Sequence, residues 1–343
     1  MSLASRLRAW RVNGARPGSG SGPRRFRPGR NARMPGVRRQ QGVAVIVAVL
    51  VVALATSTVS YMLWHQSLWV RQVENLVART QADAIARAAA NWAAAILAAD
   101  NRTIDHLGEA WARPIPPLAA ESAQLAGTVA DEQAKFNVNN LVQDGGAASP
   151  ADVVAFQRLL VLLGLPPELA EPLVDWLDAD DAVTAPNGAE SAYYLALDPP
   201  YRAANRRVVD LGELVRVKGF SPEILARLAP YVTALPVATP VNVNTASAVV
   251  LQAILPTLSS AQAAAIVQNR IERPYPDPAT FLRELGQTKG VTTTAQIDVK
   301  SRFFSSEVSV QLARVTVAYR SLFDRGDQGT LTPTLVTQSQ HAL

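Results

Sequence analysis

The chain has 343 residues, no cysteine and a formal net charge of +5, so a disulfide framework and thiolate metal sites are excluded. Its three histidines (His65, His106, His341) lie far apart in sequence, with no Gly-rich phosphate loop, metalloprotease helix or nucleophile elbow, which speaks against an enzyme. The basicity is confined to residues 1–42, which hold eleven Arg and no Asp, Glu or Lys; without them the charge falls to −6, which argues against a nucleic-acid face on the remainder.

Residues 1–33 are rich in Arg, Gly, Ser and Pro, lack an apolar period and are expected to be disordered. Arg38-Arg39-Gln40-Gln41-Gly42 then precede Val43–Trp64, 22 residues with no charge and no proline. As a helix this run spans about 33 Å, enough for a bilayer's hydrocarbon core. The basic flank marks the cytoplasmic side and leaves residues 65–343 beyond the membrane. A secretory signal peptide has a shorter apolar core of roughly 7–15 residues, although Ala53, Ala55 and Ser57 mimic its cleavage site. A plain signal anchor fits the length. A third reading rests on the glycine: basic residues, Gly and an apolar helix resemble the prepilin-peptidase site of type IV pilins and type II secretion pseudopilins. Cleavage would follow Gly42 and make Val43 the new N-terminus. Met34 would then open a nine-residue leader ending at Gly42, and is the expected true start.

The helical signal continues from His65 to Asp100 without Pro or Gly. Trp69, Val73, Leu76, Thr80, Ala84, Ala88 and Trp92 recur at spacings of three and four and predict the face that docks a domain. A helix from Val43 to Asp100 would be about 87 Å long, far beyond an ordinary surface helix. Pro114, Pro116 and Pro117 mark a loop, and Gln124–Val129 and Glu132–Asn137 are strand candidates. Helices are predicted at Ala151–Gly164, Pro166–Leu177, Val209–Val217, Pro222–Leu228, Ala246–Ile254, Ser260–Arg270 and Pro278–Leu285. The period then changes to two: Phe304–Tyr319 reads as a strand, 324–327 as a turn and Thr330–Thr337 as its return. A hairpin after an all-helical block implies that the helices are an insertion and that the strands close on the long N-terminal helix.

Asp175, Asp178, Asp180, Asp181 and Glu190 place five carboxylates within sixteen residues, around an Asn187-Gly188 turn. Calcium takes six to eight hard oxygens, but the EF-hand template fails: from Asp178, the sixth position is Val183 and the twelfth Ala189. A solvated acidic loop after a helix and a calcium site both stay open on spacing alone. Tyr193, Tyr194, Tyr201 and Trp176 around this loop read as core packing. Residues 241–270 have the form of a helix-hairpin-helix unit, but Leu255–Ser259 has no glycine and Arg270 is the unit's only cation. A packing module is therefore favoured over a DNA contact.

DEQAKFNVNNL (131–141), DWLDADD with NGAESAYY (175–194), RVVDLGELVRVKGF (207–220) and VNVNTAS (241–247) occur in order. Together they resemble the type II secretion system protein K family, over nearly the whole chain from Arg38. The resemblance implies an α+β fold: a pilin-like long N-terminal helix on a small antiparallel sheet, with an all-α insertion of two sterile-alpha-motif-like, helix-hairpin-helix-like units. It divides the chain into a leader (1–42), a membrane segment (43–64), the rest of the helix and first strands (65–137), two helical units (138–238 and 239–300) and closing strands (301–343). It also implies a non-enzymatic minor pseudopilin at the tip of a periplasmic pseudopilus. The implied partners are minor pseudopilins I and J, other pseudopilins, the inner-membrane assembly platform and the prepilin peptidase. Most pseudopilins carry Glu at the fifth mature residue; here that residue is Val47, as in family K. A buried carboxylate needs a partner, and a subunit with nothing above it has none to offer. The family also implies calcium, carried over to Asp178, Asp180, Asp181 and Glu190. The competing function is a membrane-anchored helix-hairpin-helix protein that binds DNA for uptake.

Overall fold

A computed structural model describes residues 41–120, 123–286, 297–326 and 334–341. The leader up to residue 40 and part of the predicted 330–337 strand lie outside them. The chain divides into two units between Gln66 and Ser67.

Helix α1, Gln41–Ala99, has neither Pro nor Gly after Gly42, so nothing interrupts its hydrogen-bond ladder. In the first unit its apolar residues, from Val43 to Trp64, are exposed. Thr56 and Thr58 return their hydroxyls to the carbonyls of Val52 and Leu54, which satisfies both polar groups within the helix itself.

In the second unit, α1 turns a stripe of small residues to a sheet: Ala82, Ala86, Ala89, Ala90, Ala93 and Leu97 are buried. This corrects the predicted face, because Trp69, Val73, Leu76, Ala84, Ala88 and Trp92 are exposed. Alanine lets the helix backbone approach the sheet closely, and large side chains are excluded from that contact. Tyr319 hydroxyl donates to Asp83 at 2.7 Å and pins helix to sheet.

The sheet is antiparallel, in the order β1 (Ile115–Ala120), β2 (Ala123–Asp131), β7 (Phe303–Leu312), β8 (Val315–Asp324), β9 (Thr334–His341). The proline segment forms β1 rather than a loop. As an edge strand it needs no full set of N–H donors, and its register shifts between Ile115 and Leu118. The predicted strand Phe304–Tyr319 is two strands, with Leu312 opposite Val315 and a turn at Ala313-Arg314. Ala313 takes a φ of 53°, a conformation usually left to Gly or Asn, so no turn residue betrayed it.

β2 pairs directly with β7, from Ala123 opposite Leu312 to Asp131 opposite Phe304. Everything from Glu132 to Arg302 therefore leaves and re-enters the sheet between neighbouring strands. This insertion contains β3 (Phe136–Asn137), α2 (Pro150–Leu162), α3 (Ala170–Leu177), α4 (Ser191–Leu195), α5 (Pro222–Leu228), β4 (Val232–Thr233), β5 (Val241–Asn242), α6 (Ala248–Ile254), α7 (Ser260–Glu272), α8 (Pro278–Glu284) and β6 (Ile297–Asp298). Three predictions are corrected here. Glu132–Asn137 begins as a 3-10 turn, because Asp131 caps it through the Gln133 N–H. Val209–Val217 is a 3-10 turn over Leu211–Arg216 capped by Asp210. The helix predicted from Pro166 opens as a 3-10 turn, Pro167–Leu169, before α3.

The insertion is built twice on one plan. β3 pairs in parallel with β4, and β5 with β6. Each copy opens on Asn-Val-Asn. The first Asn accepts the N–H of the second: Asn137 from Asn139 at 3.1 Å, Asn242 from Asn244 at 2.9 Å. The second Asn then clamps both backbone groups of one distant residue. Asn139 accepts from Val208 N–H and donates to Val208 carbonyl; Asn244 does the same to Tyr275. Planar amides are suited to this because each offers one acceptor and two donors. The two copies share one apolar core that includes Phe136, Phe156, Leu173, Leu251, Ile254 and Phe281.

The seam between insertion and sheet is polar and paired. Asp131 accepts from Thr245, Ser301 and Asn242 at 2.6, 2.7 and 3.0 Å. Burial raises Glu132, but the charges of Lys135 and Arg320 and hydrogen bonds from Ser305 and Thr233 outweigh it and bring the carboxyl down to about 2. These bonds fix the insertion to the strands that carry it.

Candidate metal centre and family

All of α3 but Glu171 is buried, Asp175 included, and Asp178 follows three residues later as the C-cap, a spacing that places the two on one side of the helix. Asp178 leaves the helix in an extended conformation, and the chain then loops back. Asp180 caps a short turn through the Ala182 N–H at 2.8 Å. Thr184 N–H donates to Asp175 at 3.0 Å, and Gly188 N–H to the Thr184 carbonyl at 2.8 Å. Glu190 precedes α4 without capping it.

The result is a group of three carboxylates, Asp175, Asp178 and Glu190, each giving one oxygen within 4.8 Å of the others. Their exposures are 0%, 6% and 2%. Asp178 Oδ1 and both Glu190 carboxylate oxygens are buried and accept no hydrogen bond from the described residues. Burial, followed by the charges of Asp180 and Asp175, pushes the Asp178 carboxyl up to about 7. Burial, followed by Asp175 and Asp178, pushes Glu190 up to about 7. Unsatisfied buried carboxylates of like charge are costly, and a cation among them would remove that cost. Hard oxygens alone make up the donor set, so the group fits a metal ion of oxygen preference.

Of the four residues carried over for calcium, the structure brings Asp178 and Glu190 together. Asp180 and Asp181 are exposed and lie outside the group. The third member is Asp175, and its signal was its position three residues before Asp178 on one helix face. Gly188 was read only as a turn residue. A Cβ there would stand 2.2 Å from Asp175 Oδ2 and 2.5 Å from the Thr184 carbonyl, so only glycine leaves room for the carboxylate. Gly42, Val43 and Val47 stand in the first turns of α1, with Val43 and Val47 exposed.

A second acidic group, Asp100, Asp105 and Glu109, already holds a cation. Arg325 is 3.0 Å from Asp100 and 2.7 Å from Asp105. Glu109 Oε2 accepts from the His106 N–H and Trp111 Nε1. In the helix-hairpin-helix segment, Arg270 is buried and donates to the Val243 carbonyl, so the segment's one cation is turned inward rather than towards a phosphate.

Two sequence profiles described as type II secretion system (T2SS), protein K, match residues 134–237 and 241–300. The type II secretion system protein K of Pseudomonas aeruginosa is 37% identical over 309 residues, covering 86% of this chain and 91% of that protein. The chain belongs to the type II secretion system protein K family. The Aeromonas hydrophila member is 30% identical, covering 87% of this chain and 97% of that protein. Among solved structures, a chain of the GspK–GspI–GspJ complex from the enterotoxigenic Escherichia coli type 2 secretion system superposes with a TM-score of 0.72 at 25% identity. That match covers 79% of this chain and all of that one. As a member of the K family, the protein is a minor pseudopilin of type II secretion, and α1 is long and apolar enough to cross a membrane.

Proposed function

We propose that this minor pseudopilin is the tip subunit of a periplasmic pseudopilus and acts by assembly, not catalysis. The observation that carries the reading is the match, over the full length of the other chain, to a protein that forms a complex with pseudopilins I and J. On this reading the chain is inserted in the inner membrane by residues 43–64, with the bulk of it in the periplasm. Prepilin peptidase cuts after Gly42. The apolar helix packs against the helices of pseudopilins I and J, while the two helical units, residues 138–238 and 239–300, obstruct addition of a subunit above. Val47 supports this place, because a first subunit has no neighbour to pair a carboxylate there.

The metal is calcium, in a structural role: three carboxylates and loop carbonyls are the ligand chemistry that calcium takes in an oxidising compartment. Asp175, Asp178 and Glu190 hold it, with Asp180 and Asp181 lending charge nearby.

The test is complementation of a strain lacking the protein. Wild type restores secretion of folded proteins, and Gly42→Leu accumulates at unprocessed size and does not. A Gly42→Leu protein that is processed and supports secretion would refute the processing step.

A further inference from the structure

Lys218 lies thirty residues beyond Gly188, yet its ammonium ends in the loop that carries the acidic group. Nζ donates to the carbonyls of Asn187 at 3.0 Å and Gly188 at 3.3 Å. It also sits 5.1 Å from the centre of the Tyr193 ring, and the backbone N–H of Lys218 donates to the Tyr194 hydroxyl at 3.2 Å. Contacts on both sides of Glu190 therefore converge on one residue. Gly188, held by that ammonium, packs against Asp175 so closely that no Cβ fits between them.

A fixed positive charge beside a cation site is a handicap if charge is all that matters. It repels a divalent ion, and it occupies two carbonyl oxygens of the kind such an ion takes as ligands. Only a geometric role offsets this. A site whose loop is already in place does not spend binding free energy on ordering it, and partners outside the ligand set are the usual means of holding ligands in position.

We propose that Lys218 is the positioning residue of the metal centre: its ammonium locks the Asn187 and Gly188 carbonyls and so sets Glu190 against Asp175 and Asp178 before the cation arrives. The proposal rests on the cation reading of the acidic group. The two mechanisms differ in sign, since loss of a nearby charge tightens cation binding and loss of a positioning contact weakens it.

The test is calcium titration by calorimetry on the full chain in detergent, stripped with chelator, for wild type, Lys218→Met and Lys218→Arg. Backbone hydrogen exchange across residues 184–190 is followed in the metal-free state. Hydrogen bonds to a charged group set the expected size, so Lys218→Met binds calcium about tenfold more weakly or worse. Lys218→Arg, which keeps the charge and has donors for both carbonyls, binds calcium more tightly than Lys218→Met. The Gly188 amide exchanges faster in Lys218→Met. If Lys218→Met does not fold, Lys218→Gln, with a neutral amide in place of the ammonium, is expected to bind between the two. Binding by the Met or Gln variant as tight as wild type, or tighter, overturns the positioning role while leaving the cation reading intact. Wild type that takes up no calcium overturns both.

Discussion

In the metal-free protein the acidic group makes stability fall with pH over a defined window. Asp178 and Glu190 start from 3.8 and 4.5 and are each pushed up to about 7 by burial and by their neighbours' charges. Between the lower values and 7 the folded state binds protons that the unfolded chain has released. Stability is therefore greatest near the acid end, declines as pH rises to about 7, and is level above it. The three carboxylates share one site and do not ionise independently, so the whole decline is on the order of 3 kcal/mol. Asp105 is also raised to about 7 and Asp131 is raised, both chiefly by burial, and they slope the same way. The quantity to measure is therefore the difference between wild type and an Asp178→Asn, Glu190→Gln double variant, by urea unfolding from about pH 5 to about pH 8 in chelator. Wild type should lose its extra stability across that range and the double variant should not. Calcium at about 100 times its Kd should restore about 2.7 kcal/mol to wild type at the alkaline end and little to the variant. A difference that does not change with pH, or equal stabilisation of both proteins by calcium, would refute the reasoning.

The Asn clamps give a graded pair. Asn139→Ala strands Val208 N–H and the carbonyls of Val208 and Leu235, and should lower unfolding free energy by about 3–5 kcal/mol. Asn244→Ala strands only the two backbone groups of Tyr275 and should cost about 2–3 kcal/mol by the same denaturant assay. Gly188→Ala must move either Asp175 or the Thr184 backbone, the nearest atoms at 2.2 and 2.5 Å. It should cost about 1–3 kcal/mol and weaken calcium binding, measured by thermal melting and titration with the metal.

Much of this architecture is legible in the sequence because it rests on local rules. The unbroken Val43–Ala99 stretch contains no helix breaker, and α5 runs over Pro222–Leu228 as its Ser-Pro start and apolar spacing indicate. The return of period-two alternation from Phe304 marks, to within one residue, where β7 rejoins the sheet at Phe303. What escaped depends on the partner surface. The stripe of α1 that meets the sheet is alanine, which no hydrophobicity pattern favours over Trp69 or Trp92. The turn at Ala313-Arg314 lacks the usual glycine or asparagine, so two strands read as one. Pro116 and Pro117 signal a loop unless the strand is known to lie on an edge. In the acidic group, clustering of carboxylates in the sequence pointed to the segment in which three of them converge. Which of them converge was decided by the fold of the 178–190 loop, with Asp175 turned in and Asp180 and Asp181 turned out. The repeated Asn-Val-Asn at 137–139 and 242–244 was a visible sign of the duplicated plan, and it gains meaning only once both clamps are seen.

The central claim, a tip subunit that works by assembly, is tested most directly by co-expressing the full chain with pseudopilins I and J of the same organism. The chain is then purified from detergent-solubilised inner membranes by a tag on this protein alone. The account expects both partners to co-purify in one complex with a processed N-terminus at Val43. Recovery of the processed chain with neither partner would contradict it.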